Sequence, residues 1–299
     1  MKAVAAFLLV LCYLAGSHGK SLSDSFFMTQ FIVEAVKDGM NKTIGSTHIH
    51  DGFVFTAWNC KVGPRLYNIK QIDAGQGQVV ATDKYNRAYY LIRTYWYSMS
   101  SGYIKHASVG PAGIWGTDTK NKVYKYIGGN FTLVNGLSME QVDAGGDGQV
   151  VGVTPSTYRA YCLRDSYSLA YKGTGSVSWN YHSRILKYYT CGPKYGCWGV
   201  DSSSRVYHTP RVTPSSCSYS SWRYVSGLSM KMIEVASDGS VFGVATNGRV
   251  YQRMSIYSSR PQGLYWSSVS MCMPISHLTY DLGNLWVVTN SSMFLQCSK

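Results

Sequence analysis

The chain has 299 residues, of which charged residues make up only 14%, while tyrosine occurs 25 times and glycine 30 times. This composition favours short twisted strands joined by tight turns and argues against a helical protein. The formal net charge is +13, but the Lys and Arg residues are scattered singly, which excludes the basic runs of nucleic-acid-binding arms and leaves a surface suited to anionic partners such as bacterial envelopes.

Residues 1–19 predict a signal peptide that is removed from the mature protein. Lys2 precedes the apolar run AVAAFLLVLCYLA, and Ser17-His18-Gly19 offers the small residues at which signal peptidase cleaves. No later stretch is apolar enough to predict a transmembrane helix. We therefore expect a secreted, extracellular glycoprotein. N-glycosylation is predicted at the N-x-S/T triplets that begin at Asn41, Asn130 and Asn290.

Residues 20–58 form an extension ahead of the repeats described next. The stretch FFMTQFIVEAVKDGM carries apolar residues at the spacing of one helix face. This spacing favours a helix, and the sequence leaves open whether the helix docks on the rest of the chain.

Six similar units follow over residues 59–299. In each unit a strand ends near a small-residue turn, a second strand such as VVGV or VFGV follows, and a third strand contains an aromatic residue. The residue after the large apolar pair of the second strand recurs every 35 to 47 residues, as Ala81, Gly116, Gly152, Gly199, Gly243 and Val287. The closing aromatics are Tyr89, Tyr124, Tyr161, Tyr207, Tyr251 and Phe294. Such repeats predict an all-β, six-bladed propeller, because a small sheet buries both faces only when neighbouring sheets stack on it.

The cysteines indicate how the ring closes. Seven remain once Cys12 leaves with the signal peptide. Cys60 opens the first unit and Cys297 ends the sixth, so that a disulfide between them would hold the first strand beside the last. Cys191 and Cys197 lie in one turn, CGPKYGC, and are expected to bridge locally.

Three cysteines are left after these two pairs. Cys162 and Cys217 follow outer strands of adjacent units and form the third predicted disulfide. Cys272 is then expected to carry an unpaired thiol. Zinc binding is disfavoured, because no CxxC motif or paired His accompanies these cysteines.

The segments IKQIDAG, LKYYTCGP, WGVDSSSRVY and MIEVASDGSVFGV recur in order and closely resemble tectonin repeats. Six such units with this cysteine placement resemble the fish-egg lectin family over roughly residues 59–299. The resemblance implies a six-bladed propeller, a ligand such as N-acetylglucosamine, sugar sites in crevices between blades, and calcium in the central tunnel. The chain departs from the family at Thr289, where a cysteine is usual, and in its extension before Trp58.

One position of the first strands is polar in all six units, and the odd units supply its three acids, Asp73, Asp143 and Glu234. If these side chains face the axis, their carboxylates would hold a hard cation such as calcium. Alternatively, each acid accepts hydrogen bonds from the turn two residues further on. The pattern fits both interpretations.

Turn acids near aromatic residues are the sugar-binding candidates, because a pyranose needs a flat ring against its apolar face and carboxylates or amides for its hydroxyl groups. The candidates are the four acids Asp118, Asp147, Asp201 and Asp238 and the four aromatic residues Trp115, Tyr124, Trp198 and Tyr207. We expect the sites at the junctions of units two and three and of units four and five. The alternative is that the acids only shape their turns and the rings pack between sheets.

Taken with what the resemblance implies about the ligand, these features predict a secreted lectin that binds N-acetylglucosamine-type glycans on microbial or egg surfaces in innate defence, with repeated weak sites and a homodimer raising its avidity. The competing hypothesis is a scaffold propeller with protein or anionic partners. An enzyme is disfavoured, because the scarce acids occupy repeated turn positions, whereas glycoside hydrolysis needs two carboxyl groups about 5 to 9.5 Å apart. The GxSxG motif of serine hydrolases is also missing from the sequence.

Overall fold

The computed structural model describes residues 48–50, 53–55, 58–99 and 103–299. The chain divides into two compact units, of which the larger is Cys60–Ser298. Within the smaller unit, β1 (His48–His50) pairs with β2 (Phe53–Phe55) as an antiparallel hairpin. The predicted signal peptide, the predicted helix of FFMTQFIVEAVKDGM and the glycosylation triplet at Asn41 lie outside the described residues.

The larger unit contains six antiparallel sheets of four strands each. Blade 1 consists of β4 (Ile69–Gly75), β5 (Gln78–Asp83), β6 (Ala88–Ile92) and β7 (Tyr95–Ser98). Blade 2 consists of β8 (Ile104–Gly110), β9 (Gly113–Asp118), β10 (Val123–Ile127) and β11 (Asn130–Val134). Blade 3 consists of β12 (Gln141–Asp143), β13 (Val150–Val153), β14 (Arg159–Leu163) and β15 (Trp179–Ile185), with α1 (Asp165–Ser168) between its last two strands.

The remaining three blades repeat this order. Blade 4 consists of β16 (Tyr188–Cys191), β17 (Cys197–Val200), β18 (Val206–Thr209) and β19 (Arg223–Val225). Blade 5 consists of β20 (Met230–Val235), β21 (Val241–Ala245), β22 (Val250–Met254) and β23 (Tyr265–Val269). Blade 6 consists of β24 (Ile275–Asp281), β25 (Asn284–Thr289) and β26 (Phe294–Ser298), completed by the early strand β3 (Asn59–Val62).

The first strands of consecutive blades contact one another, and β24 contacts β4, so the six sheets close into a ring. This confirms the predicted six-bladed β-propeller. The hydrophobic core is divided among the blade interfaces: one cluster joins Trp115 of blade 2 to Met139 and Val142 of blade 3, and another joins Trp198 of blade 4 to Ile233 of blade 5. Each blade therefore depends on its neighbours to bury its apolar faces.

Strand register confirms the repeat alignment. The six residues that follow the apolar pairs, from Ala81 to Val287, are called here the anchors of their blades. Each lies in the second strand, opposite the first-strand residue that precedes the aligned polar position, as in the pairs Val142↔Gly152 and Ile233↔Gly243. In five blades the anchor also pairs with the predicted aromatic. The sixth differs, because Val287 pairs with Leu295 rather than Phe294.

Three disulfides agree with the prediction: Cys60–Cys297, Cys162–Cys217 and Cys191–Cys197. Cys272 is also disulfide-bonded, and no described cysteine is free. The expectation of an unpaired thiol at Cys272 is therefore wrong.

Thr289, at the position where the resemblance implied a cysteine, has a structural role of its own. Its hydroxyl accepts a hydrogen bond from the Met293 N–H at 3.0 Å and lies 2.9 Å from the Ser291 hydroxyl, so the side chain shapes a turn of blade 6. Among the described residues, no helix is long and apolar enough to cross a membrane.

Candidate functional site

The six aligned polar side chains of the first strands are buried and join neighbouring blades around the propeller axis. Asp73 accepts the N–H of Val109 at 2.7 Å, and Ser108 accepts that of Ala144 at 2.8 Å. Asp143 likewise accepts the N–H of Cys191 at 3.0 Å. Thr190 accepts the N–H of Val235 at 3.3 Å, and Thr279 accepts that of Ala74 at 2.9 Å. In these five cases a side chain of one blade satisfies a backbone donor of the next, which fixes the blades in a ring.

Small residues after this position allow the first strands to converge. A β-carbon on Gly110 would collide with the carbonyl oxygen of Ala144, and one on Gly145 would lie 2.7 Å from the carbonyl oxygen of Cys191. The DAG and TCG segments of the repeats are thus explained by backbone that approaches backbone at the axis.

The three acids of this ring are deeply buried, and burial raises their pKa values. The pKa of Asp143 rises to about 8, first through desolvation and then through the nearby charge of Asp73. The pKa of Glu234 is raised well above its usual range for the same two reasons. Desolvation also raises the pKa of Asp73, although hydrogen bonds from Ser108 and Val109 oppose it.

The Thr190 hydroxyl shows why protons are retained here. It lies 3.2 Å from Oδ2 of Asp143 and 3.0 Å from Oε1 of Glu234. A hydroxyl has a single hydrogen and can donate to only one of these oxygens. The other contact is a good hydrogen bond only when its carboxyl group is protonated.

These acids fit a hard cation in their chemistry, since three buried carboxyl groups influence one another's ionisation and no described Lys or Arg forms an ion pair with them. Their oxygen atoms nevertheless do not all lie within 4.8 Å of one another. Asp143 also accepts the N–H of Gly145, two residues further on, at 3.2 Å, as the turn-shaping interpretation expects. Both interpretations thus find support at Asp143.

A second layer of side chains lines the tunnel, at positions two residues before the aligned polar residues Ser108, Thr190 and Thr279. The rings of His106, Tyr188 and His277 come from alternate blades and form a nearly regular triangle with centroid distances of 6.1 to 6.2 Å. The Tyr188 hydroxyl lies 3.3 Å from Nε2 of His277 and donates to Glu234 at 3.3 Å. Burial lowers the pKa of His277 to about 3 and holds that of His106 well below its usual range. The two-residue spacing of strands could have revealed this layer in the sequence.

Cys162, His182 and Cys217 are grouped closely enough to resemble a metal site. The two sulfur atoms are bonded to each other, and the His182 nitrogens lie 2.8 Å from the Tyr189 hydroxyl and from the Cys217 carbonyl oxygen. This cluster is therefore structural.

The four acids proposed for sugar binding divide between opposite ends of the blades. Asp147 and Asp238 lie in turns between first and second strands, whereas Asp118 and Asp201 lie in turns between second and third strands. Asp118 accepts N–H groups of Lys120 and Lys122, both at 2.8 Å. These acids consequently cannot act in one kind of site.

Asp201 is a turn-shaping acid like Asp118. It accepts the N–H groups of Ser203 and Arg205 and pairs with the Arg205 guanidinium at 2.8 Å. Burial alone would raise the pKa of Asp201, but these hydrogen bonds outweigh it and hold that pKa below its usual range.

The four aromatic candidates are either buried or already in contact with other side chains. Trp115 and Trp198 are fully buried between blades, so the expectation that they stack on a sugar is wrong: neither presents a ring face to solvent. The Tyr124 hydroxyl donates to Asp118 at 3.1 Å, and the buried Tyr207 ring is covered by the Arg184 guanidinium at 3.5 Å from its centroid. Sequence reasoning recognised aromatic repeats but could not distinguish interior rings from surface rings.

A crevice between blades 3 and 4 is the best candidate for a ligand site. Its volume is about 140 Å³, which is small beside the roughly 300–1,000 Å³ of typical ligand pockets. Asp147 and Gln149 form one wall, Tyr195 belongs to the CGPKYGC turn opposite, and Arg211 lies on the segment after β18. Three prolines, Pro193, Pro210 and Pro214, add apolar surface.

Gln149 is the most informative residue of this crevice. Its side chain is buried, and its Oε1 atom has no hydrogen-bond partner within the described part of the chain. An orphaned buried acceptor is costly unless a ligand or water supplies a donor. The crevice lies at neither predicted junction, and of the eight sequence candidates it contains only Asp147.

These features define the class of the protein as a six-bladed β-propeller with a polar tunnel. Among solved structures, the gluconolactonase XC5397 from Xanthomonas campestris shares 11% identity, with a TM-score of 0.59 over 80% of this chain and 89% of that one. Virginiamycin B lyase from Staphylococcus aureus shares 9% identity, with a TM-score of 0.53 over 81% and 99% of the two chains. At such identities the likeness shows the fold alone.

The chain belongs to the tectonin family, whose domain matches residues 68–290. It is similar to the Fish-egg lectin of Cyprinus carpio, with 41% identity over 232 residues that cover 77% of this chain and 95% of that protein. These comparisons confirm the resemblance seen in the repeated segments.

Proposed function

We propose that this protein is a secreted lectin that binds N-acetylglucosamine-type sugars on microbial or egg-surface glycans without changing them chemically. Its membership of the tectonin family and its similarity to a Fish-egg lectin support the lectin role. The observation that carries the choice of site is the unpartnered, buried Oε1 atom of Gln149 in the crevice between blades 3 and 4.

The crevice offers the groups that sugar recognition requires. The Tyr195 ring and the prolines supply apolar surface for the C–H face of a pyranose. The Gln149 Oε1 atom would accept a hydrogen bond from a hydroxyl or acetamido N–H group, and the exposed Asp147 carboxylate would accept another. The Arg211 guanidinium would donate to sugar oxygens.

Repetition would compensate for the shallowness of such a site. Crevices between further blades, and a homodimer, would place several weak sites on one dense glycan surface, which raises avidity well above the affinity of a single site. In this proposal the protein acts extracellularly in innate defence. Asn130 and Asn290 are exposed and suited to glycosylation, which we propose there and at Asn41.

We also propose that calcium occupies the central tunnel. Asp73, Asp143 and Glu234 would hold it, because these buried carboxyl groups oppose one another's ionisation and a cation would compensate their charge. The ion would strengthen the junctions that these side chains already form between blades.

Isothermal titration calorimetry with N-acetylglucosamine tests the sugar site. Loss of one ligand hydrogen bond to a buried acceptor costs about 1–3 kcal/mol, so we expect Gln149→Leu to weaken binding by about tenfold or more. Asp147→Asn, at an exposed position and with one acceptor oxygen kept, should weaken it by less. Asp238→Asn is the matched control, because Asp238 lies in the corresponding turn of blade 5. Equal weakening by the control would remove the crevice from consideration, and the lack of binding to any acetylated amino sugar by folded protein would remove the specificity.

A scaffold role, with protein or anionic partners, is the alternative function. Elution from the native matrix by free N-acetylglucosamine would favour the lectin. Elution by salt alone would favour the scaffold, because exposed charge contacts are screened by salt. Product release from chitin oligomers would instead indicate an enzyme.

A further inference from the structure

One end of the propeller carries two concentric sets of basic side chains. This end, called here the basic face, is where first strands begin and where the turns between second and third strands lie. Alternate connections of an antiparallel four-stranded blade lie at the same end of the sheet. The starts of the first strands and the turns between second and third strands are therefore at one end of the propeller.

The inner set surrounds the tunnel mouth. Register shifts mark a bulge at the start of the first strand, at Lys70 in blade 1 and at Lys105 in blade 2, for example. The six residues at this position are Lys70, Lys105, Glu140, Lys187, Lys231 and Ser276. The positive charges of Lys70 and Lys105 help to lower the pKa of the tunnel residue His106, after burial and His277, so these lysines lie close to the tunnel.

The outer set follows the turns between second and third strands. In each blade one residue closes this turn by accepting a backbone N–H with its carbonyl oxygen, as Lys122 does for Asp118 at 3.0 Å. The six residues at this position are Arg87, Lys122, Arg159, Arg205, Arg249 and Met293. The five basic members are all exposed.

The two sets contain nine basic side chains and one acid, Glu140. Three of the nine charges are compensated, because Arg87 pairs with Asp83 at 2.6 Å, Lys105 with Glu140 at 2.8 Å and Arg205 with Asp201 at 2.8 Å. The turns that carry the outer set also hold the acids Asp83, Asp118 and Asp201, whereas the turns at the opposite end hold Asp147 and Asp238. Nine basic side chains against four acids leave this end of the ring with a net positive charge.

Exposed aromatic residues accompany this charge. Tyr67, Tyr85 and Tyr103 lie in connections at the same end and are 57%, 61% and 69% exposed. Tyrosine is favoured at the boundary between lipid headgroups and water, where its ring and hydroxyl meet different surroundings.

We propose that the basic face binds membrane surfaces rich in anionic, phosphate-bearing lipid headgroups. A ring of separated charges complements a broad anionic surface, and each Lys or Arg near such a surface strengthens binding through electrostatic attraction. The sugar crevice lies at the other end, since it is built from turns between first and second strands. Lipid and sugar would thus bind at separate sites, and this proposal stands whether or not the crevice binds sugar.

Vesicle co-sedimentation of the full mature chain tests the proposal. We expect binding to phosphatidylcholine vesicles that contain phosphatidylglycerol, no binding to phosphatidylcholine alone, and release at high salt. The triple variant Lys70→Gln, Lys187→Gln and Arg249→Gln should weaken partitioning by about 100-fold at low ionic strength, from the removal of three surface charges. Excess N-acetylglucosamine should leave partitioning unchanged.

The matched control removes the same net charge at the opposite end, through Lys172→Gln, Lys194→Gln and Arg260→Gln. All six residues are exposed, and thermal unfolding checks that both variants remain folded. Retention of vesicle binding by the control supports the basic face. Equal losses in the two variants would show that only total charge matters, and binding to immobilised heparin but not to anionic vesicles would assign the face to a linear polyanion; either result overturns the proposal.

Discussion

Cys60 and Cys297 are 237 residues apart in the sequence, and their disulfide joins β3 to β26 within blade 6. By the chain-entropy relation, the double variant Cys60→Ser, Cys297→Ser should lose about 5 kcal/mol of unfolding free energy. Removal of the six-residue bridge Cys191–Cys197 should cost only about 2 kcal/mol. Urea unfolding under non-reducing conditions measures both, and similar losses would argue against ring closure as the role of the long bridge.

Trp198 should stabilise the propeller without contributing to sugar recognition. It is fully buried between blades 4 and 5, with its ring centroid 4.6 Å from that of His208 and 6.1 Å from that of Trp266. We expect Trp198→Ala to lower the unfolding free energy by about 3–5 kcal/mol, while the sugar dissociation constant of the folded fraction stays unchanged. A variant that kept its stability but lost sugar binding would restore Trp198 as a ligand residue.

Asp143 should make the folded protein less stable as the pH rises toward 8. Its folded pKa is raised to about 8, against an ordinary value of 3.8, so the folded chain keeps a proton that the unfolded chain has released. The slope of about 1.36 kcal/mol per pH unit per proton gives a decline of up to about 2 kcal/mol between pH 6.5 and 8.

Buried histidines act in the opposite direction at lower pH. Burial lowers the pKa values of His182 and His208 to about 4, so their contribution is complete above 6.5 and is lost as the pH falls toward 4. Stability should therefore be greatest near pH 6.5. In denaturant titrations, Asp143→Asn should flatten the decline above that pH, and the exposed control Asp147→Asn should not; an unchanged slope in Asp143→Asn would mean that the carboxyl titrates normally.

Calcium should reverse this decline if it binds the tunnel acids. A cation favours the ionised carboxylates, so calcium should raise the unfolding temperature more at pH 8 than at pH 5. Asp143→Asn and Glu234→Gln should each reduce the effect, and Asp238→Asn should leave it intact. Identical calcium responses in the parent and in Asp143→Asn would exclude a tunnel site that uses this residue.

The sequence predicted the architecture because each repeat carries the same structural requirement. Gly152 and Gly243 occupy equivalent second-strand positions, and Asp73 and Asp143 occupy equivalent first-strand positions, so a shared period was enough to align the blades. Phe294 was misplaced by one residue because its aromatic character resembled the other blades, whereas strand register selects Leu295.

The candidate site was less predictable because its residues do not repeat. Asp147 was recognised as a turn acid, but the importance of Gln149 depends on an unpartnered atom, which only the folded chain reveals. Trp115 looked like a ligand residue because aromatic side chains serve both cores and sugar sites, and burial alone distinguishes the two roles.

A crystal structure of the protein soaked with N-acetylglucosamine tests the central claim most directly. We predict sugar density in the crevice between blades 3 and 4, with a hydrogen bond from the sugar to Gln149 Oε1 and the apolar face of the ring toward Tyr195. An empty crevice in crystals that bind the sugar elsewhere, with Gln149 unchanged, would contradict the account.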